Sequence, residues 1–453
     1  MLKPIYIFAQ VIPLLSATLL SSQNILAEIP SDASAFKNRT WLLGDWNGQR
    51  TALKQQGYDF TFAWVNQSAS NLQGGYNDDT HISHAGQFTL GANLDLEKIA
   101  NWSDTDAKIV FTKRDGESIA AERTADSRAA QIGFNQEIYG RGNIWRLTDA
   151  WIRTGFDDNK YVVKFGRMGM AEDFNGAPCE FQSIAFCGSL LGKGVGDLWL
   201  NYPISIWGLN VKYHFAPQWT FGLGVYEADP DNIQIDQGRN LDMDGAKGVI
   251  LPVELTWKPS LNGLAGEYKV GGFYSTADAR DIALDAQGQF TANLNQRKIH
   301  QQRKSAWLIL QQKLYSPQQD SARGLYAVGN FTFNDAATTR IQSAQTLTLL
   351  YKGVWASRAQ DSLGFGVSHF NINSKVSQLQ QYLNASKGLS SDDYAQSDYT
   401  PVQDHEVDLE LNYTYRWSPS VMLRPNLQYV IHPGASNQVK NALVGGLTVK
   451  LDF

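Results

Sequence analysis

The stretch VDLELNYTYRW, residues 407–417, alternates apolar and polar side chains without a break. Every second residue from Val407 to Trp417 is aliphatic or aromatic, and the residues between them are polar or charged. Successive side chains of a β-strand point to opposite faces, so this pattern predicts a strand with one apolar and one polar face. Such a strand fits a sheet that has an apolar environment on one side and water on the other.

The same alternation recurs along most of the chain and predicts sixteen strands. They are expected near residues 58–67, 86–96, 106–114, 145–156, 160–167, 204–215, 218–226, 248–257, 267–275, 304–314, 323–333, 344–354, 362–371, 405–417, 420–431 and 441–453. No linker of low complexity interrupts them, so the 453 residues are predicted to form one all-β unit, although about three ordinary domains would fit that length.

The connections between the predicted strands alternate in length. Short turns that contain proline follow even-numbered strands, at 215–219, 257–263, 315–324 and 417–420. Long polar segments mostly follow odd-numbered strands, at 115–144, 168–203, 227–247, 276–303 and 372–404. This asymmetry is typical of outer-membrane barrels, which have short periplasmic turns and long extracellular loops. We therefore predict a 16-stranded antiparallel transmembrane β-barrel over residues 58–453.

The two ends of the chain indicate export and a closed sheet. Lys3 precedes an apolar stretch, and small residues lead up to Ala27, which predicts a signal peptide over residues 1–27, with a transmembrane anchor as the alternative. The last stretch, 442–453, alternates again and ends on Phe453. We expect this final strand to pair with the first strand and remove both edges of the sheet.

Composition is consistent with a barrel and argues against a nucleic-acid partner. The chain has 12% aromatic and 18% charged residues, and its net charge is −5. Tryptophans near predicted strand ends would lie at the membrane interface, where they contact outer-membrane lipid. These are Trp207, Trp219, Trp257 and Trp417. A soluble β-sandwich lectin, with the same residues in its core, is the alternative.

Two stretches carry a resemblance to a known family. They are WLLGDWNGQRTALKQQGYDF at 41–60 and APCEFQSIAFCGS at 177–189. Together with the strand count, they resemble the carbohydrate-selective porins of the OprB family, with Asn47 and Gln49 departing from its usual pattern. The resemblance implies passive diffusion of small sugars across the outer membrane of a Gram-negative bacterium, by a monomer or a homotrimer. It leaves open whether this chain prefers the family's glucose-type sugars.

The segment 28–57 is predicted to precede the barrel on the periplasmic side. Residues 48–56 are expected to form a short helix, which Gly57 can end in a left-handed conformation. Trp41 and Trp46 would hold this segment against the barrel, either narrowing the periplasmic mouth or acting only as a packing arm.

A barrel of this size encloses water, so selectivity must come from something folded inside it. The segment 168–203 is the predicted constriction loop. It contains Cys179 and Cys187, the only cysteines, and an exported protein passes through an oxidising periplasm. We expect them to form a disulfide that stiffens the loop, with two free thiols as the alternative.

Two features select the predicted constriction residues: the alternation of inward and outward side chains along each strand, here called parity, and position in a long loop. If the apolar side chains face lipid, then polar neighbours on the third to fifth strands face the lumen, and loop carboxylates and loop arginines oppose them. The predicted solute-binding residues are Lys108, Arg114, Arg123, Arg128, Asp149, Trp151, Arg153, Lys164, Glu172, Asp173, Glu180 and Phe181. Apposed hydrogen-bonding groups beside aromatic rings suit a sugar, and the basic strip also suits small hydroxylated organic acids.

Signals for other chemistry are weak. No motif of a serine hydrolase, zinc protease or phosphate-binding loop occurs, so a barrel enzyme or an adhesin is the less favoured alternative, and no cofactor is predicted. His81 and His84 could pair on a metal, but no further ligand cluster accompanies them, which favours a solvated loop and no metal site. The stretch 240–245 begins like a calcium loop, yet Leu251 replaces its final glutamate, which leaves only isolated carboxylates as calcium ligands.

Overall fold

The structure of the protein is a computed structural model that describes residues 37–130, 132, 135–317 and 322–453. The predicted signal peptide and the first part of the predicted periplasmic segment lie outside the described residues. Among the residues that are described, no helix is long and apolar enough to cross a membrane.

Sixteen strands form one closed antiparallel barrel, as the alternation predicts. They are β1 (Tyr58–Gly75), β2 (Ile82–Asp95), β3 (Thr105–Gly116), β4 (Trp145–Phe156), β5 (Tyr161–Met168), β6 (Ile206–Ala216), β7 (Trp219–Glu227), β8 (Val249–Trp257), β9 (Leu264–Ser275), β10 (Arg303–Tyr315), β11 (Gly324–Asn334), β12 (Ile341–Lys352), β13 (Ser362–Ile372), β14 (His405–Ser418), β15 (Val421–Ile431) and β16 (Lys440–Asp452). Each strand pairs with its neighbours in sequence, and β16 pairs with β1 along most of its length, so the last strand closes the sheet.

Among the described residues, four short α-helices and three further strand segments lie outside the barrel wall. The helices are α1 (Gln49–Gln55), α2 (Leu96–Ala100), α3 (Leu191–Gly194) and α4 (Ser374–Ser386). Ala279–Asp285 and Arg297–His300 pair as a hairpin in the loop after β9, and Ser260–Leu261 pairs locally with β9.

The strand β14 shows how the barrel distributes polarity. Glu406, Asp408 and Glu410 are buried on its inner face, whereas Leu409 and Leu411 face outward and Leu411 is 50% exposed. Exposed leucine and buried carboxylate would be unfavourable in a soluble protein. The arrangement is stable here because lipid covers the outer face and polar groups fill the inner one.

Aromatic rings line the periplasmic end of the barrel from β5 to β9, and they include the predicted Trp219 and Trp257, whereas Trp207 lies at the opposite end of β6. Trp219 stacks on Trp257 with ring centroids 5.4 Å apart, and Trp257 contacts Tyr268 at 5.6 Å. Nearby, the Tyr161 and Tyr213 rings stack at 4.9 Å. These side chains lie at the starts of odd strands and the ends of even ones, which is the level of a membrane interface.

The predicted N-terminal helix forms as α1 and lies against the seam between β1 and β16. It is followed by Gly57 with φ of 103°, where a Cβ would approach the Asp95 carbonyl to 2.8 Å. Arg50 donates to the carbonyl oxygens of Phe60, at 2.8 Å, and Phe453, and its guanidinium lies 4.2 Å from the Trp41 ring centroid. The segment before the barrel is therefore hydrogen-bonded to the last residue of the chain.

Candidate functional site

The loop after β5, residues 169–205 and hereafter L3, folds into the barrel and lies along its inner wall. The two carboxylate oxygens of Glu410 on β14 accept hydrogen bonds from the backbone N–H groups of Gln182, at 2.9 Å, and Ser183, at 2.7 Å. Glu254 on β8 accepts from the N–H of Asn175 at 2.9 Å. L3 is thus held against the inner wall on both sides of the barrel, and its role as the constriction stays a prediction.

Apolar contacts also hold L3 against the inner wall of the barrel. Trp199 packs between Phe273 on β9 and Trp307 on β10, with ring centroids 5.3 and 5.5 Å apart. Phe181 packs on Phe186 at 5.0 Å and is only 3% exposed. The sequence predicts Phe181 as an aromatic platform for a solute, whereas the structure uses its ring to anchor the loop.

Cys179 and Cys187 form a disulfide within L3, with their Cα atoms 4.4 Å apart and a sequence separation of 8 residues. Replacing both by serine is expected to lower the free energy of unfolding by about 2–3 kcal/mol, because the bridge restricts the unfolded chain. The measurement is the denaturant midpoint of the oxidised protein, the reduced protein and the double variant. Equal midpoints for all three would contradict a stabilising role.

Six charged side chains meet where L3 touches β3 to β6, and they are called the ion-pair cluster. Its members are Lys108, Asp149, Lys164, Glu172, Asp173 and Lys212. Lys164 lies 2.6 Å from Glu172 and 2.8 Å from Asp173, and Lys212 lies 2.8 Å from Asp173. These contacts fix the start of L3 to the wall formed by β5 and β6.

The other half of the ion-pair cluster lies on β3 and β4. Lys108 contacts Asp149 at 2.9 Å and Glu172 at 3.1 Å. Trp151 lies beneath two of the ammonium groups, 4.6 Å from Lys164 and 5.7 Å from Lys108. The indole is nearly buried under these cations, so it supports them and offers a solute little surface.

The ion-pair cluster faces the lumen and is balanced in charge. Lys108, Glu172 and Lys212 remain 25%, 28% and 32% exposed. Burial opposes ionisation of Asp173, but Lys212 and Lys164 outweigh it and keep the pKa of this carboxyl below its ordinary value. Three cations then oppose three carboxylates, which gives a wall rich in donors and acceptors with little net charge.

A second polar group lies nearer the extracellular end and is called the Arg114 group. Arg114 on β3 donates through Nε to the Gln87 side chain at 2.8 Å and lies 5.8 Å from the Tyr202 ring. The Tyr202 hydroxyl accepts from the Gln87 amide at 3.0 Å and lies 3.4 Å from the Thr89 hydroxyl. Tyr202 is 39% exposed, so its ring is available to a solute.

The remaining predicted residues lie elsewhere. Arg153 has the expected inward parity but pairs with Asp106 at 2.7 Å near the periplasmic end. Glu180 pairs with Lys352 at 2.8 Å and lines a cavity of about 730 Å³ together with residues of the periplasmic turns, such as Arg358 and Pro419. Neither contacts the ion-pair cluster.

Two predicted solute-binding residues are arginines of the loop between β3 and β4, residues 117–144 and hereafter L2. Both contact other parts of the loops. Arg128 pairs with Asp126 at 2.8 Å and donates to the Tyr394 carbonyl at 3.0 Å, which ties L2 to the loop before β14. Arg123 lies in a π-helical turn, Ala120–Thr124, and donates to the Glu122 carbonyl at 3.3 Å. Neither residue belongs to the two polar groups of the lumen.

Several side chains near the lumen are absent from the set that the sequence predicts, among them Lys212, Tyr202 and Arg146. The alternation along β6 places Lys212 on the inner face, so this residue could have been predicted from the sequence. Tyr202 lies in a loop, where parity gives no signal. Arg146 faces inward because a bulge at Thr148 and Asp149 changes the alternation of β4, and it donates to the Asn232 carbonyl in the loop after β7 at 3.0 Å.

The comparison with known sequences decides the family. The profile described as "Carbohydrate-selective porin, OprB family" matches residues 79–453 of the chain. The chain belongs to the OprB family. As an OprB-family porin, it resides in the outer membrane of a Gram-negative bacterium, and its family and fold indicate a channel rather than an enzyme.

Relatives of this OprB-family porin match it over nearly its full length. "Putative porin QuiX" of Acinetobacter baylyi is 49% identical over 446 residues, covering 97% of this chain and 98% of that protein. "Porin B" of Pseudomonas aeruginosa is 41% identical and covers 93% of each chain. The solved "High pH structure of Pseudomonas putida OprB" is 42% identical, with a TM-score of 0.89 over 92% of this chain and 99% of that one.

Proposed function

We propose that this porin passes small neutral sugars down their gradient, and that the ion-pair cluster and the Arg114 group are the surfaces they contact. The observation that carries the proposal is the balance of the ion-pair cluster, in which lysine donors and carboxylate acceptors alternate and Lys108, Glu172 and Lys212 remain partly exposed. A sugar hydroxyl both donates and accepts, so it can exchange hydrogen bonds with such a wall without needing a charge of its own.

Weak and repeated contacts are what a channel requires, since a tightly held solute blocks it. Each cation and carboxylate of the ion-pair cluster already has a partner, which limits how strongly either can hold a passing solute. Tyr202 provides an exposed ring face beside these polar groups, against which the apolar face of a sugar ring can pack. The oligomeric state, monomer or homotrimer, stays a prediction.

One observation favours the second candidate substrate, small hydroxylated organic acids. Arg114 uses only Nε in a side-chain hydrogen bond, and neither of its Nη atoms has a partner among the described residues. A guanidinium with free terminal nitrogens is suited to a carboxylate, which it can bind in a bidentate manner. The ion-pair cluster is common to both candidates, whereas Arg114 distinguishes them.

Single-channel conductance in a planar bilayer tests the proposal. Glucose added to one side is expected to block the wild-type channel saturably, and gluconate at the same concentration is expected to block it less. The variant Arg114→Gln should change glucose affinity by less than about threefold, because a neutral sugar gains little from the charge, but should weaken any gluconate block at least about tenfold.

Arg153→Gln is the matched control, because Arg153 also faces the lumen but is paired with Asp106 near the periplasmic end. It should leave both responses unchanged. Stronger block by gluconate than by glucose, abolished by Arg114→Gln, would move the substrate to hydroxylated acids. A protein that conducts no ions at all would overturn the channel itself.

A further inference from the structure

A cluster of metal-ligating side chains lies in the extracellular loops, away from the lumen groups. His81 precedes β2, while Glu117 and Glu122 lie at the start of L2. One ligand atom from each residue lies within 4.8 Å of the other two, and His81 Nε2 is 3.1 Å from Glu122 Oε2. The sequence favours a solvated loop at His81 and His84 over a metal pair because it shows no further ligand, whereas the structure groups His81 with two carboxylates.

Within the protein, the side chains of this cluster contact mainly one another. Nε2 of His81 is shielded from water and faces the Glu122 carboxylate at 3.1 Å, and that carboxylate also accepts from the Ser83 hydroxyl at 3.4 Å. Neither Glu117 nor Glu122 forms an ion pair with lysine or arginine in the described part of the chain, whereas every carboxylate of the ion-pair cluster does. A bound cation would relieve the repulsion between two adjacent carboxylates beside such an imidazole nitrogen.

Backbone hydrogen bonds hold the three ligands in place. The Glu117 N–H donates to the His84 carbonyl at 2.8 Å, and the Asn77 N–H donates to the Arg123 carbonyl at 2.9 Å. Glu122 lies in the π-helical turn Ala120–Thr124, a rare conformation that occurs frequently at functional sites. The ligands are therefore carried on two segments that are already joined, which reduces the entropy lost on binding.

The donor set selects the kind of metal. Calcium and magnesium prefer oxygen-only sites, whereas one imidazole with two carboxylates suits zinc. Zinc bonds to nitrogen and oxygen are about 2.0–2.2 Å long, which in a tetrahedron places the ligand atoms about 3.4 Å apart. Glu117 is exposed and free to rotate, so its carboxylate can close the remaining distance.

We propose that His81, Glu117 and Glu122 form a zinc-binding site on the extracellular side, with water completing the coordination. The site joins the start of β2 to L2. Farther along L2, the Gln136 amide donates to the Gln67 carbonyl on β1 at 2.8 Å and accepts from the Ile119 N–H at 3.0 Å. Zinc binding would thus stiffen the part of L2 that packs inside the barrel mouth.

Isothermal titration of zinc chloride into untagged, chelator-treated full-length protein in detergent tests the proposal. One zinc ion per chain is expected in the micromolar range or tighter, together with a higher melting temperature. Glu122→Gln keeps the shape of the side chain and should weaken binding at least about tenfold, as should His81→Ala.

His84→Ala is the matched control, because His84 lies three residues from His81 on the exposed face of β2 and outside the cluster. It should bind zinc like the wild type. Absence of binding at millimolar zinc would overturn the proposal, and so would equal affinity in Glu122→Gln and the wild type. Conductance plays no part in this test, so its result is independent of the solute the channel carries.

Discussion

Replacing Glu410 by alanine is expected to detach L3 from the far wall of the barrel, raising the single-channel conductance and its noise. The Glu410 carboxylate is fully buried and accepts the backbone N–H groups of both Gln182 and Ser183. Each buried N–H left without an acceptor costs about 1–3 kcal/mol, so the variant weakens the attachment of this segment. The segment otherwise rests on contacts such as those of the Gln182 side chain with Ser68 and of Glu180 with Lys352. The loop would then sample positions away from the wall, and the opening would fluctuate.

Planar-bilayer recording of Glu410→Ala and of Glu406→Ala checks this expectation. Glu406 lies on the same strand and the same face, but its carboxylate accepts from the Gly434 N–H in the loop after β15, and among the described residues it shows no hydrogen bond to L3. The control should therefore keep the wild-type conductance and low noise. If both variants conduct like the wild type, the Glu410 carboxylate does not hold L3 in place.

The sequence predicts the barrel because each strand repeats one simple rule. In β14 the alternation from Val407 to Trp417 specifies which face meets lipid, and the same rule applied to β16 explains why the chain ends in a strand. Short and long connections then fix the two ends of the barrel. These features are local and depend little on tertiary contacts, so the residues of a strand and its two connections are enough to predict them.

The site is predicted less completely because it depends on contacts between distant segments. Parity correctly turns Lys108, Asp149 and Lys164 inward, and L3 brings Glu172 and Asp173 to meet them. Beyond a bulge, the alternation no longer predicts which side chains face the lumen, and in loops it gives no information about their direction. No local pattern shows that the Phe181 ring packs into L3, that Tyr202 lies beside Arg114, or that Glu180 reaches Lys352.

Asp173→Asn is expected to lower the free energy of unfolding by about 3 kcal/mol, because it removes one charge from a nearly buried ion-pair network. Asp173 contacts Lys164 and Lys212 and also accepts from the Asn210 amide at 3.0 Å. Lys164 would retain Glu172, while Lys212 would lose its one described carboxylate partner. The denaturant midpoint in detergent measures the loss.

The control is Asp106→Asn, which breaks the exposed pair with Arg153 and should cost no more than about 1 kcal/mol. The pH dependence gives a second check. The pKa of Asp173 is held below its ordinary value of 3.8, so its contribution is complete above that pH and is lost as the pH falls through the folded value. The wild type and Asp173→Asn should therefore differ at neutral pH and converge in acid. A constant difference across that range would mean that asparagine destabilises the loop by its shape, and that the charge of Asp173 does not stabilise L3.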